Sequence, residues 1–250
     1  MTKQKTLVRG VGLFLAAALL LTGALVRLLG SGMPMSLWVY ARGHGYSVGD
    51  YPKEIVSLYR RNSDAREFVR SFPALRGSDS EIDLSGEITS GKAPLLMQWD
   101  PRWGCRRYNE NWMALSGCGP TCLSMAAIAI TGDTSMDPWA MAQFAENNGF
   151  NVVGQGTAWA LFTDGAAMLG LDSTQITMDE QRVMDNLAVG NPIVCVVGPG
   201  DFTTEGHFIL LAGLEDGLIR VNDPNSVKNS GKLWSFEQLA PQVQALWVLR

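Results

Sequence analysis

Four side chains in this sequence have the types and placement to break an amide bond together. Cys118 lies in "LSGCGPTCLSM", Leu115 to Met125, between two glycines and ahead of a proline, just before an apolar helical pattern. A thiol attacks a carbonyl only as thiolate, and an ordinary cysteine with a pKa of about 8.5 is mostly protonated at neutral pH. The start of a helix supplies the positive end of the macrodipole and unsatisfied N–H groups, both of which favour the anion. Pro120 suits the first helical turn. Gly117 and Gly119 would let a substrate carbonyl come close to the backbone, with the Cys118 N–H facing a developing oxyanion. The same Gly-Cys-Gly-Pro run also reads as a tight helix start with no chemistry attached.

A nucleophilic thiol needs a base. Of two histidines, His44 stands in a polar stretch far from any expected core, whereas His207 opens the run "HFILLAGL" behind the loop "GPGDFTTEGH". A histidine at a strand start is often structural, but His207 is the one imidazole of the C-terminal body and so the candidate partner of Cys118. Asp223 ends the run "LIRVND". An antiparallel pairing through the turn "EDG" brings it to the same end as His207, where it could orient the imidazole. Followed by Pro224, it also reads as a turn initiator. Gln98, in "LLMQWDPRW", is either a second oxyanion donor or a solvated polar residue in a strand. A zinc site from Cys118, Cys122 and His207 lacks a fourth ligand, and its cysteine spacing fits no finger, so no metal or other cofactor is expected. Cys122 and Cys195 read as buried small hydrophobes, and Cys105 has no evident role.

The elements that must position these groups change period partway along the chain. Helical spacing is clearest from Cys118 to Ile130, then in "DPWAMAQFAENNG" with Asp137 as N-cap and Gly149 as C-cap, in "GTAWALFTDGAAMLG" and in "MDEQRVMDNLAVG". Short β-rich runs follow: "PIVCVVG", "HFILLAGL", "LIRVND" and "ALWVLR". Helices first and strands later predict an α+β domain over residues 93–250, its N-terminal helices packed on an antiparallel β-sheet. Residues 31–92 are polar apart from "PKEIVSLYRRNSDAREFVRSFP". There Ile55, Val56, Leu58, Tyr59, Phe68 and Val69 predict a helix pair broken near Asn62 to Asp64. That pair either docks on the main domain or lies on lipid as an amphipathic helix. Arg76 to Ala93 reads as a linker.

The whole chain has 250 residues and a net charge of −4, with no run of basic residues among aromatics, which excludes a polyanionic partner such as nucleic acid. Behind Lys3, Lys5 and Arg9, the uncharged run Gly10 to Val26 within residues 1–30 reads as a signal-anchor that holds the protein to the membrane with the body outside. The alternative is a secretory signal cleaved near Thr22 to Ala24. Both place the body beyond the cytoplasm.

Together, "QWDPRWG", "SGCGPTCLSM", "GTAWAL", "GPGDFTTEGHFILL" and "VNDPNS" resemble the papain-like peptidases related to the bacteriocin-processing domains of export transporters, cysteine peptidase family thirty-nine. The likeness runs from about Leu95 to the C-terminus, and "YPKEIVSLYRRNSDAREFVRSFP" is similar to the helical lead-in of membrane-anchored members from Gram-positive bacteria. The resemblance implies a papain-like fold and a peptide or protein substrate. It also implies Cys118 as nucleophile, His207 as base, Asp223 as its orienter and Gln98 as the oxyanion-hole glutamine. Two other readings stand beside it: a catalytically silent extracellular module that holds a peptide or wall fragment, and the same chemistry directed at cell-wall stem peptides.

Overall fold

The computed structural model describes residues 32–78, 81–154 and 156–250. The chain divides into two compact units, Met1–Ser63 and Asp64–Arg250. In the first unit, α1 (Met35–Gly43) follows Pro34 and buries Leu37 and Ala41. A short 3-10 turn at Val48–Asp50 leads to α2 (Lys53–Arg61), with Glu54 in its first turn and Arg60 and Arg61 in its last. That charge order suits the helix dipole. The expected break after α2 is present, and the second helix of the pair, α3 (Arg66–Leu75), belongs to the second unit. α3 is held to its own unit by aromatic contact: Phe72 meets Trp112 edge to face at 5.0 Å. Phe68 comes so near Gly104 that a Cβ there would lie 2.7 Å from its ring. Among the described residues no helix is long and apolar enough to cross a membrane. The run Gly10 to Val26, and with it the expected anchor, lies outside the described residues.

The segment read as a linker is mostly exposed among its described residues but is anchored from Ile82 onward. Leu84 is 1% exposed and belongs to the core of the second unit, with Ile82, Ile88 and Ala93 against the same cluster. Arg102 fastens it, donating to the Asp83 carbonyl at 2.8 Å and to the Glu87 carboxylate at 2.5 Å. Its turn-forming composition hid the one leucine that, with Arg102 from outside the segment, fixes the path.

Beyond it, a small hairpin β1 (Arg107–Tyr108) and β2 (Asn111–Trp112) leads into α4 (Met113–Ser116) and the long α5 (Cys118–Thr131). Every residue of α5 from Gly119 to Ile128 is buried, which explains an apolar pattern on all sides. Gly132, at φ 71°, ends the helix. α6 (Pro138–Asn147) starts as expected, the Asp137 carboxylate accepting from the N–H groups of Trp139 and Ala140.

The next expected helix is not one helix. β3 (Asn151–Val152) pairs with β4 (Gly156–Thr157); a 3-10 turn at Trp159–Phe162 and the brief α7 (Asp164–Met168) follow. Thr163, at φ −112° and ψ −80°, breaks the run. Tertiary packing overrides the helical period here: Thr157 is drawn to Tyr108, its Oγ1 2.9 Å from the phenol oxygen, and Phe162 wedges against Phe208 and Trp247.

α8 (Glu180–Ala188) completes the longer helices. The main sheet contains β5 (Ser173–Ile176), β6 (Ile193–Val197), β7 (His207–Glu215), β8 (Leu218–Asn222), β9 (Leu233–Trp234) and β10 (Val243–Leu249), in the spatial order β5-β10-β6-β7-β8-β9. All its pairings are antiparallel. Two short helices, α9 (Val227–Ser230) and α10 (Phe236–Leu239), flank β9. Strand residues divide by parity between two cores. Val194, Val196, Phe208 and Leu210 join the cluster that contains α5, while Ile193, Cys195, Val197, Ile209 and Leu211 join the one containing Val183 and Leu187 of α8. Burial on both faces is why β6 and β7 read as unbroken apolar runs. The sheet also holds strands that the pattern did not announce. β5 is a polar edge strand, and β9 has only two residues.

Candidate active site

The N-terminus of α5 meets the beginning of β7. Cys118 is the first residue of α5, and it remains partly accessible although the helix behind it is buried. His207, opposite Val197 in the sheet, is 8% exposed. Asp223 follows the last residue of β8, where Asn222 pairs with Leu210, so the antiparallel register returns it to the end of the sheet that carries His207. Its carboxylate oxygen Oδ1 lies 2.8 Å from His207 Nε2. The imidazole also interacts with the Cys118 thiol, and each group shifts the titration of the other. With Nε2 turned to the carboxylate, Nδ1 is the nitrogen left for the sulfur. The structure thus brings together three of the four expected side chains.

The electrostatics differ sharply among the thiols. Burial acts to raise the Cys118 pKa, but the hydrogen bond and charge of His207, with the backbone N–H groups of Phe208 and Gly119, outweigh it and hold the thiol below its ordinary value. Burial acts to lower the His207 pKa, and the bonds to Asp223 and to Cys118 outweigh that, so the imidazole is held above its ordinary value. A thiolate facing an imidazolium is the state that both shifts favour. Elsewhere burial dominates: it pushes Cys105 up to about 12 and drives Cys122 and Cys195 well above the cysteine range. All four cysteines are free thiols. Cys122 and Cys195 are fully buried, as a reading of small hydrophobes requires.

Gln98 is neither solvated nor in a strand. It is 3% exposed, and its position is fixed from two sides. Its backbone N–H donates to the Pro224 carbonyl at 2.8 Å, and its Nε2 donates to the Ala114 carbonyl at 2.9 Å. It therefore ties the residue after Asp223 to the turn before Cys118. One N–H of its amide is used in this way, and Oε1 is buried without a partner.

The glycines beside the thiol have an immediate cause in packing. A Cβ on Gly117 would stand 2.6 Å from the Met113 carbonyl, and one on Gly119 would stand 2.6 Å from Thr157 Oγ1. Thr157 in turn holds Tyr108, so β1 and β4 form a wall against the first turn of α5. Sequence reasoning missed this wall, and it missed the groups that hold Asp223. Oδ1 also accepts from the Asn225 N–H at 2.9 Å, which makes Asp223 the turn former as well as the partner of His207. Oδ2 accepts from Asn229 Nδ2 at 2.9 Å, and the Asp223 N–H donates to Ser230 Oγ at 2.9 Å. The run "DPNSVKNS" carries only turn composition, and nothing in its spacing says which amide will face the carboxylate.

A thiol-bearing helix start set against an antiparallel sheet that carries an imidazole and a carboxylate defines an α+β fold, as expected for residues 93–250. The particular family follows from the sequence: the Peptidase_C39 like family matches residues 93–248, and the chain belongs to that peptidase family. The solved structures similar to it include two peptidases. The peptidase domain of Streptococcus ComA, a bifunctional ABC transporter involved in quorum sensing, is 22% identical, with 54% of this chain and 90% of that one covered at a TM-score of 0.40. A protein of Bacillus anthracis described as a C39-like peptidase is 15% identical, with 64% of this chain and 96% of that one covered at a TM-score of 0.39. No curated protein matches the chain.

Proposed function

We propose that this protein is a cysteine peptidase whose nucleophile is Cys118, with His207 as general acid and base and Asp223 as the group that orients the imidazole. The observation that carries the proposal is the buried hydrogen bond between His207 and Asp223 beside the only thiol among four whose pKa is depressed, a depression to which His207 contributes most. The Cys118 thiolate attacks the amide carbonyl carbon, and the carbonyl π electrons move to oxygen. That oxyanion is received by the Cys118 N–H and by the second N–H of Gln98. As the C–N bond breaks, His207 gives its proton to the departing nitrogen, leaving a thioester on Cys118. Neutral His207 then takes a proton from water, whose oxygen attacks the thioester and releases a carboxylic acid and the thiolate. Asp223 fixes the tautomer and ring orientation throughout. No residue in this sequence of steps calls for a metal.

The protein acts outside the cytoplasm, held by the apolar run Gly10 to Val26 behind Lys3, Lys5 and Arg9. Its substrates are peptides or proteins reachable from that side, with cell-wall stem peptides as the alternative. One comparison tests activity and substrate class together: digestion of a peptide library and of muropeptides by the protein and by Cys118→Ala. New amino termini that depend on Cys118 are expected in one of the two pools. Binding of either pool without turnover, unchanged in Cys118→Ala, would instead establish a catalytically silent binding module.

A further inference from the structure

Beyond the four side chains that the proposed reaction uses, one buried amide is placed to govern them. Asn229, in the four-residue α9, is 9% exposed and touches neither Cys118 nor His207 by any hydrogen bond. Its Nδ2 donates to Asp223 Oδ2 at 2.9 Å and also reaches the Asp201 carbonyl at 3.5 Å. Asp201 belongs to the loop that delivers His207, and this loop is pinned to the sheet by Gln242. Gln242 Oε1 accepts from the Asp201 N–H at 2.6 Å, and its Nε2 donates to the Asp201 carboxylate at 2.9 Å. The backbone of Asn229 is fixed independently. Its carbonyl accepts from Trp234 Nε1 at 3.1 Å, and its N–H donates to Ser226 Oγ at 3.1 Å.

We infer that Asn229 is a positioning residue of the active site, its side-chain amide holding the Asp223 carboxylate in the plane in which Oδ1 meets His207. Oδ1 accepts from both His207 and the Asn225 N–H, whereas among the described residues Oδ2 has a single donor, Asn229. A buried carboxylate oxygen without a donor is costly, so deleting this amide drives the carboxylate to rotate and share Oδ1's partners, at the expense of the imidazole. Asn229 is thereby coupled to the sulfur through two intermediate groups. The inference builds on the cysteine peptidase reading and deepens it.

The test is the pH dependence of alkylation of Cys118 by iodoacetamide, followed by mass spectrometry in the full-length protein, Asn229→Ala and the nearly isosteric Asn229→Asp. Loss of the charge-assisted hydrogen bond from Asn229 weakens the hold of Asp223 on the imidazole, and only part of that loss reaches the sulfur. The acid limb of Asn229→Ala is therefore expected to move to higher pH by roughly half to one unit, a slowing of roughly three- to ten-fold on the limb. In Asn229→Asp the introduced carboxyl donates to Oδ2 only while protonated, so its deficit against the parent should grow as the pH rises. A merely structural role leaves the ratio of variant to parent independent of pH. Parent-like limbs in variants with parent-like thermal unfolding would overturn the inference, as would loss of fold in both variants, because the retained backbone bonds of Asn229 predict that they fold. If Cys118 of the parent protein shows no enhanced reactivity, the peptidase reading itself fails, and that outcome is distinct from the others.

Discussion

Replacing Asp223 with asparagine removes a charge and almost no volume, so its effect can be worked from the contacts. All three groups that face the Asp223 carboxylate are donors: His207 Nε2 at 2.8 Å, the Asn225 N–H at 2.9 Å and Asn229 Nδ2 at 2.9 Å. An asparagine can keep its oxygen toward His207 and Asn225, but its own NH2 then confronts the Asn229 amide, donor against donor. Relief requires that amide to turn over and lose its contact with Asp201, so a stability cost of about 1–3 kcal/mol follows. The larger effect is electrical. Exchanging a charge-assisted bond for a neutral one roughly halves its strength, which lowers the imidazolium pKa by about one unit. The full Coulomb term between charges about 4 Å apart, about 4 kcal/mol at an effective dielectric constant of 20, sets an upper bound near three units. The sulfur and the imidazole stabilise one another's charges, so they titrate as a pair. A weaker imidazolium therefore raises the pH at which the thiolate forms, while the imidazolium loses its proton at lower pH. The bell of hydrolysis against pH narrows from both sides. Iodoacetamide alkylation of Cys118, read peptide by peptide from pH 4 to 10, reports the acid limb without any knowledge of the substrate. The expected result is a shift of the acid limb to higher pH by about one to three units. An unmoved limb in a folded Asp223→Asn protein would show that the buried carboxylate has no electrical hold on the sulfur, and the proposed triad would fall.

Two further perturbations test the surroundings. Gly119→Ala places a methyl 2.6 Å from Thr157 Oγ1 and 2.7 Å from Thr157 Cβ, so the wall must move or α5 must shift. We expect a loss of about 1–3 kcal/mol in thermal or urea unfolding together with slower alkylation of Cys118. Gly119→Ala, Thr157→Ser should recover little, since the clash includes Cβ. Leu84→Ala empties a buried site in the segment Arg76–Ala93, and a cost of about 2–5 kcal/mol is expected. Because Leu84 and Arg102 hold that segment down, trypsin should cut it slowly in the parent protein and faster in Leu84→Ala, with cut sites located by mass spectrometry. Equal cutting rates would show the segment to be a free linker.

The sequence by itself determined which chemistry was available and the order of the elements that carry it. A cysteine at a glycine-and-proline helix start, one imidazole in the C-terminal body and an aspartate at the end of the following strand are local facts. Local physics, in the form of helix dipoles, caps and antiparallel hairpins, is enough to bring His207 and Asp223 to one end of β7 and β8. The apolar runs announced β6 and β7 because both faces of those strands are buried. Only the tertiary structure decided the rest. It broke the run from Gly156 to Gly170 because Thr157 and Phe162 gain more from Tyr108, Phe208 and Trp247 than from a continuous helix. It anchored the supposed linker through Leu84, and it placed β10 between β5 and β6, beside strands far from it in sequence. It also selected, from a run of turn-forming residues, the one amide that faces the carboxylate. These decisions escape the sequence for one reason: each depends on which distant side chain fills a particular space or accepts a particular hydrogen, and neither periodicity nor composition encodes that choice.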